Sequence, residues 1–553
     1  MNDKYRAAGL RVLAAGLGLT VSGMGHDIGA ALAQTAAPAA APVAADRLGS
    51  YDSALAEAIG GDSALRAVYA ARGGAPIWTS AADAGRRAAF FAALDSASVQ
   101  ALPGAGYDAA GLRAAFGTIR SERERGLLEA KMSRTFLDYA QDVSSGILDP
   151  AKIDPTIVRD LHRPDRQSLL AGFARAQDPD GYLHALAPQA PEYAQLLRAR
   201  FDLGQQIAAG GWGAPVPGTA TLHPGDSGPA IVALRHRMRA MGYYPGHDSG
   251  AKYDEPLRQA VRAFQIDLGE IPDGIVGKTT LAEINTPPEQ RLKSVVVAME
   301  RLRWMNHTPL GERYIWVNIP DFHARIFDNG EQVFDTTTVV GQADPDRRTP
   351  EFSDRMQFLV INPSWHIPRS ITVKEYLPKM QRDPYAAAQI QIVDKQGNVM
   401  SRDAIDFGAY TADTFPYRMR QDPSEDNALG AVKFLFPNKW NIYLHDTPSK
   451  SLFNRPVRAF SHGCIRIGQP FDLAYQLLAP QTDDPVGFFQ SILETGQEKT
   501  LKLADPIPVH LVYFTAWPSA RGRIQYRDDI YGRDAALYDA LAQAGVELLP
   551  PTN

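Results

Sequence analysis

The chain has 553 residues, of which 45% are hydrophobic and 22% charged, proportions that exclude a disordered chain and predict a globular protein with more than one domain. Its 57 Lys and Arg against 62 Asp and Glu give a net charge of −5, which argues against a nucleic-acid partner. One cysteine excludes an intramolecular disulfide, and the sequence has neither an HExxH pair nor Cys-rich metal spacing, so we expect no metal or other cofactor.

The first 33 residues have the layout of a secretory signal peptide. Lys4, Arg6 and Arg11 precede an apolar run over residues 12–24, and small residues predict cleavage after Ala33. The apolar run is too short for a comfortable membrane span. We therefore expect a soluble protein outside the cytoplasm, with an uncleaved membrane anchor as the alternative.

An Ala- and Pro-rich tether over residues 34–45 precedes a predicted helical domain at 46–210. Apolar residues recur at helical spacing over 127–139, and Gly146 is placed to end that helix. A second such pattern follows Pro191, a residue type that suits a helix start. We find no cluster of reactive side chains here and interpret the region as a helical scaffold, with Tyr69 and Trp78 in its core.

Residues 220–286 predict a small module of three short helices joined by glycine-rich turns. The segment resembles the three-helix peptidoglycan-binding module of many cell-wall enzymes. That resemblance implies that the module holds the protein on the wall. The alternative is a spacer that no longer binds glycan.

From residue 312 to 520 the pattern changes to alternation and short apolar runs, which predict a mostly-β domain. Residues 362–430 are longer, more polar and partly helical, so we interpret them as an inserted lid subdomain. Residues 521–553 are expected to pack on the scaffold or on the β domain. The expected fold class is therefore multidomain α+β.

The one cysteine, Cys464, lies in a motif that suits a nucleophile. The pKa of a free thiol is about 8.5, so an attacking cysteine needs a neighbouring base or cation. His445 lies upstream on a predicted strand over 439–445, and strand alternation places it on the same face as Tyr443. We expect this polar face to meet Cys464.

The loop around Cys464 suits the stabilisation of an acyl oxygen. Gly463 lacks a side chain, so the N–H groups of Gly463 and Cys464 are candidates for an oxyanion hole, with the Tyr443 hydroxyl as a third donor. Arg466 can hold a carboxylate bidentately or brace the loop. The alternatives are a buried inert cysteine and a metal site made by Cys464, His445 and His462.

These residues resemble the L,D-transpeptidases of bacterial cell walls. The carrying motif is Ser-His-Gly-Cys-Ile-Arg at 461–466, preceded by Tyr-Leu-His-Asp-Thr at 443–447. Further matches are Thr-Pro at 349–350, Asn-Pro with a following Trp at 362–365, and Asn-Ala-Leu-Gly at 427–430. The chain looks most like the large Gram-negative members, which combine a helical scaffold, a wall-binding module and a lidded catalytic domain.

The resemblance implies roles for particular residues. Cys464 would be the nucleophile and His445 its base, oriented through the backbone carbonyl of Asp446. His462 would support the oxyanion pocket. The residues expected to contact substrate are Ser461, Arg466, Trp365 and Asn427.

The resemblance also implies a periplasmic, monomeric cysteine acyltransferase. It would cleave the diaminopimelate–D-alanine bond of a donor stem peptide, release D-alanine and form a 3→3 crosslink with an acceptor stem. Acylation by carbapenems and partnership with peptidoglycan synthases are further expectations. The alternatives are an L,D-carboxypeptidase or endopeptidase that uses the same residues, and a non-catalytic wall-binding protein.

Overall fold

The computed structural model of the protein describes residues 50–246 and 250–549, which fall within one compact unit, Gly49–Asn553. The predicted signal peptide and tether, residues 1–45, lie outside the described residues. Among the described residues, no helix combines the length and the apolar character needed to cross a membrane.

The N-terminal region is helical, as the apolar spacing predicts. Its helices are α1 (Tyr51–Ile59), α2 (Ser63–Ala71), α3 (Ala84–Asp95), α4 (Ala109–Thr118), α5 (Glu122–Ser145), α6 (Pro150–Ile153), α7 (Arg166–Arg175), α8 (Pro179–Leu186) and α9 (Pro191–Ala208). A capping box of Ser121 and Glu124 begins α5 and Gly146 ends it. Tyr69 and Trp78 are buried in the core of this region.

A second group of helices comprises the small module and one long helix that follows it. The module contains α10 (Pro229–Ala240), α11 (Glu255–Leu268) and α12 (Lys278–Asn285) around its own apolar core. The long helix α13 (Pro288–Met305) follows and was not predicted from the sequence. It packs against α5 and α9, and its Glu300 accepts hydrogen bonds from the N–H groups of Ile147 and Leu148 at 2.6 and 2.9 Å. Helix α13 thus joins the scaffold to the domain that follows.

The next domain is mostly β, as the alternation predicts. Its strands are β1 (Arg313–Asn318), β2 (His323–Asp328), β3 (Glu331–Gly341), β4 (Phe352–Ile361), β5 (Trp365–His366), β6 (Gln391–Val393), β7 (Arg418–Gln421), β8 (Val432–Leu435), β9 (Leu444–His445), β10 (Ala459–Ser461), β11 (Ile465–Ile467), β12 (Lys499–Val512), β13 (Ala516–Pro518) and β14 (Ile524–Tyr526). The main sheet runs β10-β3-β11-β9-β8-β4-β12-β1-β2, and an additional pairing of β2 with β3 closes it on itself.

The core of this domain lies on one face of the sheet. Apolar residues of β1, β2, β4, β8, β9, β11 and β12 pack with those of α16 (Pro470–Leu478) and α17 (Pro485–Leu493). Burial of these side chains fixes the register, because a shift of one residue would reverse every side chain. The opposite face is free to carry polar residues.

The insertion at 362–430 has a small core of its own. Helices α14 (Arg369–Ile371) and α15 (Leu377–Arg382) flank a π-helical turn at Thr372–Tyr376, and strands β5, β7 and β6 pair in that order. At the C-terminus, α18 (Arg533–Gln543) packs on α13 and α6. The C-terminal segment therefore contacts both the scaffold and the helix that leads into the β domain.

Candidate active site

Three polar residues form a row across three neighbouring strands. Strand β9 lies between β8 and β11, and the register places His445 opposite Lys433 on one side and opposite Arg466 on the other. Residues opposite each other in a sheet share a face and lie about 5 Å apart. The row therefore presents an imidazole between two cations.

Apolar neighbours explain why these side chains share the polar face. Leu444, Phe434 and Ile465 are fully buried in the core, so the alternating positions beside them face away from it. The predicted strand over 439–445 is shorter in the structure, which assigns only β9. Asn441 has φ 54°, which breaks the extended run two residues before Tyr443. The predicted pairing of Tyr443 with His445 on one face remains, with ring centroids 5.6 Å apart.

The Cys464 sulfur lies beside this face. The side chain is half-buried, and Sγ is 3.6 Å from the carbonyl oxygen of Asn441. Burial raises the pKa of the Cys464 thiol to about 11, although hydrogen bonds from Tyr443 and the charges of Lys433 and Arg466 lower it. The thiol is therefore protonated at neutral pH, and its surroundings favour a thiolate once one forms.

His445 is held as a neutral, oriented imidazole. Its Nδ1 lies 2.5 Å from the Asp446 carbonyl oxygen and donates to it, which leaves Nε2 without a proton. The pKa of His445 is lowered to about 3, first by burial and then by the charges of Arg466 and Lys433. A neutral imidazole whose Nε2 carries no proton can act as a general base.

Tyr443 connects the thiol to the imidazole. Its ring contacts His445, and its hydroxyl hydrogen-bonds the Cys464 sulfur. The pKa of Tyr443 is raised well above its usual value, first by burial and then by the sulfur, while a hydrogen bond from Trp365 opposes the rise. The hydroxyl therefore keeps its proton and remains a donor.

The loop before Cys464 is held by its own hydrogen bonds. The Gly463 N–H donates to Ser461 Oγ at 3.1 Å, and the Gly463 carbonyl accepts from Thr349 Oγ1 at 2.8 Å. The Gly463 N–H, which the sequence suggests for an oxyanion hole, is thus bonded to Ser461 in this structure. Among the described residues, the Cys464 N–H has no partner and remains open. Gly463 has φ 114°, a conformation that requires glycine here.

Two of the residues predicted to contact substrate are bonded to protein groups in this structure. Ser461 is 2% exposed, and its hydroxyl donates to the Cys464 carbonyl at 2.5 Å. Asn427 is completely buried, and its amide bonds the main chain of Pro363, Asp422 and Leu429. Both side chains are occupied by protein groups, so they shape the loop and the base of the insertion.

Asp446 has a structural carboxylate in addition to its carbonyl. The carboxylate accepts from the N–H groups of Ala431 and Thr447 at 2.9 and 2.7 Å, and it pairs with Lys450. A side chain at Gly430 would collide with it, since a Cβ there would lie 2.3 Å from Asp446 Oδ2. These contacts fix the segment whose carbonyl orients His445.

Residues 312–488 match the family model of the L,D-transpeptidase catalytic domain, which contains the site above. Residues 312–488 therefore belong to the L,D-transpeptidase catalytic-domain family. Residues 63–199 match a scaffold domain, and residues 227–284 match a "Putative peptidoglycan binding domain".

A protein of Haemophilus influenzae named "Putative L,D-transpeptidase" is 37% identical to this chain over 224 residues. The match covers 40% of this chain and 44% of that protein, so it spans less than half the length of the relative.

Two solved structures are similar to part of this chain. An L,D-transpeptidase from Xylanimonas cellulosilytica is 12% identical, with a TM-score of 0.16 over 53% of this chain and 98% of that one. A fused Zn-dependent amidase/peptidase/peptidoglycan-binding protein from Clostridium acetobutylicum is 13% identical, with a TM-score of 0.15 over 53% and 100%. At these TM-scores neither structure supports an inference about this chain.

The insertion contacts the candidate active site at two points. Trp365 hydrogen-bonds the Tyr443 hydroxyl. Glu375, in the π-helical turn, lies 2.5 Å from Nε2 of His462 and 3.0 Å from a guanidinium nitrogen of Arg347. His462 thus faces the insertion, whereas the sequence suggested only support of an oxyanion pocket.

Sequence reasoning missed Lys433 and Glu375 as residues of the candidate active site. Lys433 could have been found, because it is a cation at an alternating position between the apolar Val432 and Phe434. Glu375 carries no local signal, since its partners are distant in the chain. Within residues 50–246 and 250–549, no group of three or more His, Cys, Asp or Glu side chains is placed to hold a metal ion.

Proposed function

We propose that this protein is a cysteine L,D-transpeptidase that joins two peptidoglycan stem peptides. Cys464 would attack the diaminopimelate–D-alanine bond of a tetrapeptide donor. The observation that carries the proposal is the thiol of Cys464 hydrogen-bonded to Tyr443, whose ring contacts a buried, neutral His445 with its Nδ1 bonded to a main-chain carbonyl.

Acylation begins from the neutral pair. As the sulfur bonds to the carbonyl carbon, Nε2 of His445 takes the thiol proton. The developing oxyanion accepts hydrogen bonds from the open Cys464 N–H and the Tyr443 hydroxyl. The C–N bond then breaks, and His445 returns the proton to the leaving amine of D-alanine.

Transfer repeats these steps in the opposite direction. The side-chain amine of a second diaminopimelate attacks the thioester, His445 takes its proton, and the C–S bond breaks to release the thiolate, which recovers the proton. The product is a 3→3 crosslink. Carbapenems, which carry a reactive amide and a carboxylate, would acylate the same sulfur.

Arg466 and Trp365 are proposed to contact the stem peptide. Arg466 lies beside the thiol and is without a hydrogen-bonding or ionic partner among the described residues, so its guanidinium can hold a carboxylate bidentately. The contacts of Trp365 with Tyr443 and of Glu375 with His462 support a role for the insertion as a lid on the site. A covered thioester meets the acceptor amine with less competition from water.

The other domains and the N-terminus support a place at the cell wall. A peptidoglycan-binding module on the same chain would raise the local concentration of stem peptides around the site. With the predicted signal peptide, this favours a periplasmic enzyme.

The decisive test incubates the protein lacking residues 1–33 with disaccharide-tetrapeptide and identifies the products by mass spectrometry. We expect a crosslinked dimer that has lost one D-alanine. Free tripeptide without dimer would overturn transfer in favour of an L,D-carboxypeptidase. No product of either kind would overturn the cysteine chemistry as well.

The matched control is Cys464→Ala. Alanine is close in volume to cysteine, so we expect a melting temperature within about 3 °C of the wild type with no dimer and no carbapenem adduct. Residual turnover by this variant would exclude Cys464 as the nucleophile.

A further inference from the structure

Lys433 is a cation in the site that the proposed mechanism does not use. It lies directly opposite His445 on β8, whereas Arg466 lies opposite His445 on β11. The charge of Lys433 also acts on the Cys464 thiol. Its side chain is half-buried, and its ammonium lies over the ring of Tyr443, 5.3 Å from the centroid. A lysine is rarely buried without an acidic partner, because desolvation of the charge is costly.

The acidic group nearest to Lys433 does not neutralise it. Glu498 acts on Lys433 only at a distance, since the two make no ion pair. The Glu498 side chain is exposed and already accepts a hydrogen bond from the N–H of Ser364. Elsewhere in the described parts of the chain, no carboxylate or carbonyl holds the ammonium. The position of Lys433 therefore suits an anion that arrives with a ligand.

The chemistry of the proposed reaction supplies such an anion. The amine that leaves, D-alanine, and the amine that enters, the D-centre of diaminopimelate, both carry a carboxylate on the carbon that bears the nitrogen. His445 must reach that nitrogen in both steps. Lys433 lies on the strand next to His445, one interstrand spacing away. A carboxylate on the carbon that bears this nitrogen is therefore within reach of Lys433 in both steps.

We propose that Lys433 binds the α-carboxylate of the D-amino acid that leaves the donor and of the one that replaces it. This inference rests on the proposed function. It assigns a different carboxylate to each cation of the row. Lys433 binds the carboxylate of the D-centre that carries the amine, and Arg466 binds a carboxylate of the donor on the acyl side. Lys433 thereby selects α-amino acids over other amines as acceptors.

The test compares two acceptors that differ only in this carboxylate. The tetrapeptide donor is supplied with D-methionine or with D-methioninamide, and exchange of the terminal D-alanine is followed by mass spectrometry. Both acceptors draw on the same thioester, so the ratio of their kcat/KM values is independent of the acylation rate and of the fraction of folded enzyme.

Lys433→Met should lower the ratio of kcat/KM for D-methionine to kcat/KM for D-methioninamide by about 10- to 100-fold, the range for one lost charge-assisted contact. Lys433→Arg, which keeps the charge, should retain most of the preference. The matched control is Lys439→Met, which removes an exposed lysine on the segment between β8 and β9 and should keep the wild-type ratio.

Three other outcomes would contradict the proposal, and they can be told apart. An equal loss with both acceptors would assign Lys433 to stabilisation of the thiolate, and an unchanged ratio would assign it no contact with the amine. If the wild type exchanges neither acceptor while Cys464 stays unmodified, the proposed function itself fails.

Discussion

Two regions of the described part of this protein contain buried or half-buried cations, but only one of them pairs these cations with acidic side chains. Around α13 the guanidinium groups of Arg301, Arg303 and Arg533 are at most 2% exposed, and each is paired. Arg301 and Arg533 share Glu351, with contacts of 2.5 and 3.2 Å. In the sheet, Lys433 and Arg466 flank His445 and have no such partner in the described residues.

The difference separates a structural region from a binding region. A buried charge is tolerated when an opposite charge and hydrogen bonds compensate its lost hydration. The α13 cluster meets that condition internally and so joins the scaffold, the β domain and the C-terminal helix. The row of Lys433, His445 and Arg466 has no paired acidic side chain within the described residues to compensate its charges. Its two cations keep His445 neutral, and we propose that they bind substrate carboxylates.

A short hydrogen-bonded path links the two regions. Arg533 donates to the carbonyl of Thr349 at 3.0 Å, and the Thr349 hydroxyl donates to the carbonyl of Gly463 at 2.8 Å. Tyr531, two residues before Arg533, also accepts from the Thr349 N–H and donates to the Gly341 carbonyl. The C-terminal segment therefore supports the loop that carries Cys464.

The largest expected effect concerns the residue between the two unpaired cations. His445→Ala should slow carbapenem acylation by about 10²- to 10⁴-fold, because the thiol would lose its general base. Adduct formation followed by intact-protein mass spectrometry measures this rate. His323→Ala, on β2 and paired with Asp335 outside the site, is the matched control. Acylation of the His445 variant at the wild-type rate would exclude His445 as the base.

The distinction between the two regions can be tested by removing one cation from each and comparing the free energies of unfolding. Arg533→Met should lower the free energy of unfolding by about 3–5 kcal/mol, because Glu351 would lose one of its buried partners. Arg466→Met should change it by less than about 1 kcal/mol, since no partner is left unpaired. Denaturant unfolding of both variants gives the two values.

Equal destabilisation by the two substitutions would contradict the distinction between a structural and a binding region. The loss of crosslinking activity provides a second measurement. Arg466→Met should lose transfer while remaining about as stable as the wild type.

A smaller effect sharpens the electrostatic side of the comparison. Because the pKa of Cys464 is raised to about 11 and that of His445 is lowered to about 3, the resting pair is uncharged between these values. Alkylation by iodoacetamide requires the thiolate, so its rate should keep rising from pH 7 to 10. Arg466→Met should slow it several-fold, because the arginine lowers the pKa of the thiol.

A rate plateau below pH 8 would show a pre-formed thiolate–imidazolium pair and contradict this account. A cysteine-containing peptide, whose rate levels off above a pKa of about 8.5, calibrates the measurement.

The sequence predicted the parts of the fold that depend on local pattern. Helical spacing located α5 and α9, and alternation located β1 and β2, because burial of one face is visible in the order of residues. Helix α13 was missed, since it is buried on nearly every side and its charged residues are satisfied by distant partners. The strand over 439–445 was predicted too long, because the left-handed conformation of Asn441 ends the extended run early.

By itself the sequence determined the chemical groups of the site: one thiol, an imidazole, a phenol and a glycine that permits the loop. Only the tertiary structure decided which groups are available, because hydrogen bonds and ion pairs join residues far apart in the chain. It occupied the Gly463 N–H, buried Ser461 and Asn427 in structural contacts, and left Lys433 and Arg466 unpaired on either side of His445. Availability depends on the partners that folding brings together, and the order of residues does not specify those partners.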